Sequence, residues 1–125
     1  YGFSAGGGEG WAGLLADAYV RRADVLNRGF SGYNTRHALD ILPSVFGSYE
    51  EGGIGSTNFG RPLFISVFFG ANDASLPNDD EFCQHVPIDE YESNLRKIVH
   101  AIGRKLQGDT KPPIILMTPP PVDQP

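Results

Sequence analysis

Apolar residues recur every three or four positions in three parts of the chain, which is the spacing of an amphipathic helix. The pattern predicts one helix over residues 10–22, a second that begins near Asn34 or Thr35, and a third over residues 88–106. Either Asn34 or Thr35 can cap the second helix, because both side chains accept hydrogen bonds from the first free N–H groups. Pro43 is expected to kink or shorten that helix.

Short apolar runs between these helices predict strands at residues 24–27, 63–69 and 114–117, with a glycine-rich loop at 47–61. The second run is apolar at successive positions, as in parallel strands that helices cover on both faces. Helix, strand, helix, strand, helix, strand is the order of an α/β fold with a parallel sheet. Ligands bind such sheets at the carboxyl ends of the strands, so the site is expected there.

Length and charge limit the classes of function. The 125 residues make one domain at most, residues 1–125, and 40% of them are hydrophobic, which is compatible with a packed core. The net charge is −5 and the 10 Lys and Arg residues are dispersed, which argues against nucleic acid as a partner. No apolar stretch approaches the ~20 residues that span a bilayer.

Cys83 is the single cysteine, so it has no partner for an internal disulfide. It also lacks the further Cys or His ligands of a structural zinc site, and no metal is expected. A single cysteine slightly favours the cytoplasm. The chain begins at Tyr1 without Met, as though upstream residues were missing, which leaves a signal peptide open.

Two turns follow predicted strands and carry the candidate chemistry. One is Gly70-Ala71-Asn72-Asp73, and the other is Asn27-Arg28-Gly29-Phe30-Ser31-Gly32-Tyr33-Asn34-Thr35. Alone, Gly32 is an ordinary turn glycine and Asn72 an ordinary turn-capping residue. Together, at two strand ends, they predict one shared pocket that binds an oxyanion.

The chain resembles the SGNH/GDSL hydrolase family, and especially its isoamyl acetate-hydrolysing esterase-like branch. Five stretches in this order carry the resemblance: Glu9-Gly10-Trp11, residues 24–35, Phe69-Gly70-Ala71-Asn72-Asp73, Val86-Pro87-Ile88-Asp89-Glu90-Tyr91, and Thr118-Pro119-Pro120-Pro121-Val122-Asp123. The resemblance implies a three-layer α/β/α flavodoxin-like fold with a parallel sheet, here without its first strand and last helix. The missing strand would lie between the strands at 24–28 and 63–69.

By the same resemblance, the Gly32 backbone and the Asn72 side chain are oxyanion donors in an esterase for small-molecule esters. Such an enzyme works through a serine acyl-enzyme and needs no cofactor or metal. The family's Gly-Asp-Ser and Asp-x-x-His motifs do not occur here, so the nucleophile and base are expected beyond Tyr1 and Pro125. This chain alone is then expected to be inactive. Asp73 is expected to order its own turn, and Asp73 and His85 are candidates for lining the substrate pocket.

Two other hypotheses stay open. Gly8-Glu9-Gly10-Trp11-Ala12-Gly13 matches the dinucleotide pattern G-x-G-x-x-G before a helix, although Asn27-Arg28 stands where an acidic residue is usual. A non-catalytic member of the esterase family is the third hypothesis. Ser31 does not qualify as the nucleophile, because Tyr33 breaks the Gly-x-Ser-x-Gly pattern.

Overall fold

The computed structural model describes residues 10–46, 62–77, 84–106 and 111–120. These form two units, one within residues 1–31 and one within residues 32–125. The predicted loop at 47–61 and Cys83 lie outside the described residues. The elements in chain order are α1 (Trp11–Ala18), α2 (Thr35–Phe46), β1 (Ile65–Phe68), α3 (Ile88–Lys105) and β2 (Ile114–Met117).

The first unit contains α1, which is shorter than predicted. Gly10 is its N-cap, and after Ala18 the chain turns, with the Val20 N–H donating to the Asp17 carbonyl. Arg21 then takes a left-handed φ of 63°, which no helix can continue. Residues 24–27 form no strand, so that prediction is wrong. A strand needs hydrogen bonds to a neighbour, and no described residue pairs with this segment.

The second unit contains the sheet. β1 and β2 pair in parallel, with Ile65 opposite Ile114 and Phe68 opposite Met117. Helix α3 lies between the two strands in the chain, as a parallel connection requires. The predicted strand at 114–117 and the parallel sheet are confirmed, and the strand predicted over 63–69 is found as the shorter Ile65–Phe68.

Helices α2 and α3 cover one face of this sheet. Val67 is buried on that face, together with Ala38 of α2 and Ile98 of α3. Ile65 and Phe69 lie against the same cluster, since alternate residues of a strand share a face. Phe68 points to the opposite face and remains 43% exposed. The described residues of this unit thus supply two layers of the expected three.

Helix α2 begins as predicted. The Asn34 side chain accepts a hydrogen bond from the His37 backbone N–H at 3.0 Å, which is the geometry of an N-cap. Pro43 lies inside the helix, which nevertheless runs on to Phe46, so the expected shortening does not occur.

The carboxyl end of β1 is packed tightly around Gly70. The Tyr91 hydroxyl of α3 donates to the Phe69 carbonyl at 3.0 Å. Gly70 has a φ of +127°, and a Cβ placed on it would lie 2.8 Å from the Tyr91 oxygen and 2.9 Å from Pro119 Cδ. Only glycine combines this backbone conformation with such close neighbours. The turn after β1 is thereby fixed between α3 and the segment after β2.

Replacement of Gly70 by alanine is expected to destabilise the whole protein by about 3 kcal/mol, because it adds backbone strain and a steric clash. Gly103→Ala is the matched control. Gly103 lies inside α3, and a Cβ added there would have no packing neighbour within 4 Å, so alanine is expected to stabilise by about 0.8 kcal/mol. Urea unfolding of both variants tests the difference, and equal effects would contradict it.

Tyr91 also predicts a pH dependence. Burial raises the pKa of its hydroxyl, and the nearby charge of Asp73 raises it further. The folded state therefore holds this proton more tightly, and the stabilisation is complete below the unfolded pKa of about 10. It is lost as the pH rises from there through the folded-state pKa. Tyr91→Phe removes the titration, so its stability is expected to approach that of wild type between pH 9 and pH 11 in urea unfolding. A constant difference would refute the assignment.

Candidate active site

The two predicted turns are in direct contact. Asn72 follows β1, and its Nδ2 donates a hydrogen bond to the Tyr33 carbonyl at 2.8 Å. Tyr33 directly follows Gly32 in the turn before α2. An Asn amide carries two N–H donors, so this bond uses one and leaves the other. Asn72 is half-buried and thus still reached by solvent.

Gly32 adopts a left-handed φ of +79°, which explains why this position holds glycine. Its carbonyl accepts a hydrogen bond from Gln84 Nε2 at 2.8 Å. The same nitrogen would lie 3.4 Å from a Cβ added at Gly32. Gln84 was not expected at the site, because nothing in its local sequence marks it.

Asp73 joins the two turns through its side chain. It is only 3% exposed, and its Oδ1 accepts hydrogen bonds from the Thr35 backbone N–H at 3.0 Å and from the Thr35 hydroxyl at 2.5 Å. We expected Asp73 to order its own turn, and the structure instead bonds its side chain to a residue 38 positions away. A carboxylate at the first N–H of α2 also suits the positive end of the helix dipole.

A further helix takes part in this arrangement. Asn94 of α3 donates from Nδ2 to the Thr35 hydroxyl at 3.2 Å. Asn34 donates from its own Nδ2 to the Gln84 carbonyl at 3.0 Å. In the described part of the chain, the buried polar residues are Asn34, Thr35, Asp73 and Asn94. The first three belong to the two turns, and Asn94 bonds to one of them. Asn94 had a sequence signal, since it interrupts the apolar face of a helix.

His85 lies on the segment that follows Gln84. Its Nδ1 is 2.7 Å from the Ser75 carbonyl, and because a carbonyl only accepts, Nδ1 carries the hydrogen. In the neutral ring Nε2 is then the acceptor. The next residue, Val86, donates its N–H to the Asp73 carbonyl at 3.0 Å. His85 therefore lies beside the Asn72 turn, and its lining of a substrate pocket stays a prediction.

An ion pair at the surface links α2 to α3 near these residues. The Arg36 guanidinium donates to both Glu90 oxygens, at 2.5 and 2.6 Å. These hydrogen bonds lower the pKa of Glu90, and the charge of Arg36 lowers it further against the opposing effect of burial. Arg36 also donates to the His85 carbonyl at 3.4 Å. Exposed pairs of this kind add little stability, but this one joins three segments around the site.

The glycines of the dinucleotide pattern belong to the first unit. Gly10 caps α1 and Gly13 lies within it, while Gly8 is outside the described residues. Among the residues with described positions, no three His, Cys, Asp or Glu side chains are grouped as metal ligands would be. No helix in the described ranges is both long and apolar enough to cross a membrane.

Asp73→Ala is expected to destabilise the whole protein by about 3 kcal/mol, because it leaves the buried N–H and hydroxyl of Thr35 without an acceptor. Asp73→Asn keeps one acceptor oxygen and is expected to cost less. The other oxygen, Oδ2, accepts no hydrogen bond from a described residue, so a new amide group there breaks none. Urea unfolding measures both, and an equal loss for the two variants would contradict this assignment.

The sequence matches known proteins over nearly its whole length. The sequence model of the GDSL-like Lipase/Acylhydrolase family covers residues 1–125. A GDSL esterase/lipase of Arabidopsis thaliana is 47% identical over 115 residues, which are 92% of this chain and 44% of that protein. An isoamyl acetate-hydrolyzing esterase 1 homolog of Rattus norvegicus is 49% identical over 113 residues, covering 90% of this chain and 41% of the relative.

The human isoamyl acetate-hydrolyzing esterase 1 homolog is 42% identical over 113 residues, with 90% of this chain and 42% of that protein covered. The chain thus spans less than half the length of these relatives. No solved structure matches it significantly. The family match over all 125 residues, together with the parallel α/β unit, shows that this chain belongs to the GDSL-like lipase/acylhydrolase family.

Proposed function

We propose that the whole protein containing this chain hydrolyses small carboxylic esters of the acetate type through a serine acyl-enzyme. In this proposal the Gly32 backbone N–H and the Asn72 Nδ2 donate hydrogen bonds to the substrate oxygen. The main support is the 2.8 Å hydrogen bond from Asn72 Nδ2 to the Tyr33 carbonyl, which brings the two donor turns together. The names of the mammalian relatives support an acetate ester as substrate.

The residue types suit this chemistry. Attack on an ester carbonyl places negative charge on its oxygen, and fixed neutral donors stabilise that charge without rearrangement. Glycine lets a backbone N–H approach closely, since no Cβ intervenes. The Asn72 amide keeps one donor after its bond to Tyr33, and it carries no charge that would bind an anion before the reaction.

Asp73 acts in this proposal as a positioning residue. Its bonds to Thr35 hold the Asn72 turn against the start of α2, two residues after Tyr33. The sequence contains neither Gly-Asp-Ser nor Asp-x-x-His, so the proposal assigns the nucleophile and the base to the rest of the whole protein. His85, half-buried beside the Asn72 turn, is proposed to line the substrate pocket.

Asn72→Ala in the whole protein is expected to lower kcat for isoamyl acetate by about 10²- to 10³-fold, because one oxyanion donor is lost. Stability is expected to fall by only about 1 kcal/mol, for the bond to Tyr33. Steady-state kinetics and urea unfolding measure the two effects separately. A kcat within threefold of wild type would remove Asn72 from the mechanism.

Two ligands separate the other hypotheses. An ester-mimicking phosphonate is expected to label the whole protein covalently, at one group per chain by mass spectrometry, whereas NAD is expected not to bind in a titration. Saturable NAD binding without labelling would favour the dinucleotide hypothesis instead. Absence of both labelling and ester hydrolysis would favour a non-catalytic family member.

A further inference from the structure

We infer that Gln84 is a positioning residue of the oxyanion pocket, one that holds Gly32 in the backbone conformation that directs its N–H. The inference rests on the proposed function, because it concerns how one of the two proposed donors is aimed. The observation behind it is that two side-chain amides donate hydrogen bonds to two successive backbone carbonyls. Gln84 Nε2 donates to the Gly32 carbonyl, and Asn72 Nδ2 donates to the Tyr33 carbonyl, both at 2.8 Å.

Gly32 needs such a restraint because the absence of a Cβ, which suits it as a donor, also leaves its backbone free to adopt several conformations. Without a Cβ, glycine adopts positive and negative φ about equally well, so its backbone does not select one orientation. The observed φ of +79° must therefore be selected by contacts. The hydrogen bond from Gln84 fixes the carbonyl side of the residue, and the Gln84 amide lies against its Cα, 3.4 Å from the position of a Cβ.

Gln84 is itself held at a defined place. Its carbonyl accepts a hydrogen bond from Asn34 Nδ2 at 3.0 Å, and Asn34 is only 1% exposed. Asn34 is also the N-cap of α2, so the Gln84 backbone is tied to the start of that helix. Further along, the Val86 N–H donates to the Asp73 carbonyl at 3.0 Å. The segment at 84–86 thus bonds to both turns, and within this segment it is the Gln84 side chain that bonds to Gly32.

The test compares Gln84→Met with Gln84→Glu in the whole protein. Methionine keeps the approximate length of the side chain and removes the N–H donor. Glutamate keeps the shape but presents acceptor oxygens to the Gly32 carbonyl at neutral pH. A donor role therefore predicts that kcat falls in the order Gln, Met, Glu, whereas a role in shape alone would leave Glu at least as active as Met.

For Gln84→Met we expect kcat to fall about tenfold, which corresponds to about 1.4 kcal/mol, with KM within twofold of wild type. The loss is expected in kcat because a misdirected donor stabilises the charged transition state less well, while its effect on binding of the neutral ester is small. Rates are divided by the concentration of active sites, as titrated with the phosphonate, so that misfolded protein does not lower the measured kcat. Arg96→Met is the control, since it removes an exposed bond to Glu92 on α3, and wild-type kinetics are expected.

The outcomes distinguish this inference from the proposed function. If Asn72→Ala loses turnover and Gln84→Met keeps wild-type kcat, the role of Gln84 is wrong while the proposed function stands. If Gln84→Glu equals or exceeds Gln84→Met, shape and not hydrogen-bond donation is what matters, and the inference is overturned. If Asn72→Ala itself keeps its turnover, Asn72 is not an oxyanion donor, and the pocket that Gln84 is inferred to support is wrong as well.

Discussion

The hydrogen bonds from Thr35 to the Asp73 carboxylate hold the second unit together at the point where the candidate site lies. They join the turn after β1 to the first residue of α2, two segments 38 residues apart in sequence. Thr35 is fully buried and Asp73 nearly so, which makes these bonds stronger than exposed ones and an unpaired group costly. Asn72 directly precedes Asp73, and Tyr33 lies two residues before Thr35, so this connection also brings Asn72 close to Tyr33.

Among the residues that the structure describes, polar burial is concentrated in this one region. The apolar cluster of α2, α3 and the sheet contains Val67 and Ile98 and needs no polar partner. The buried Asn34, Thr35, Asp73 and Asn94 lie instead around the two turns. Hydrophobic packing has no direction, whereas hydrogen bonds specify angles and distances. The proposed site, which would direct two N–H groups at one oxygen, lies where this polar network is, at the end of the packed layers.

Glycine has opposite roles at the two turns. At Gly70 the neighbours Tyr91 and Pro119 leave no room for a side chain, so the backbone is fixed by steric contact. At Gly32 the space is more open, and hydrogen bonds from Gln84 and Asn72 to successive carbonyls restrain the turn. The Gly70 turn is thus restrained by packing, whereas the Gly32 turn depends on two amide side chains that are not part of the apolar core cluster.

Local patterns in the sequence determined the long elements of this chain. The apolar period of α3 and the apolar run of β2 depend on residues close in sequence, and both are found where they were predicted. The N-cap of α2 was predicted as Asn34 or Thr35, and the structure shows Asn34. The prediction of a strand at 24–27 is wrong because a strand forms only when a neighbouring strand bonds to it, and the local sequence does not show whether one is present. The contact between the turns at Gly32 and Asn72 was also predicted, although only the Asn72 turn follows a strand in the structure.

Only the tertiary structure decided which side chains hold those turns. Gln84 and Asn94 contact residues about fifty to sixty positions away, at Gly32 and Thr35, and no local pattern encodes such a pairing. Asp73 bonds to Thr35 and not within its own turn for the same reason, since a buried carboxylate takes the nearest free donor in space. Sequence thus determined most of the helices and strands, because they depend on nearby residues, whereas contacts between residues distant in sequence determined which side chains hold the two turns.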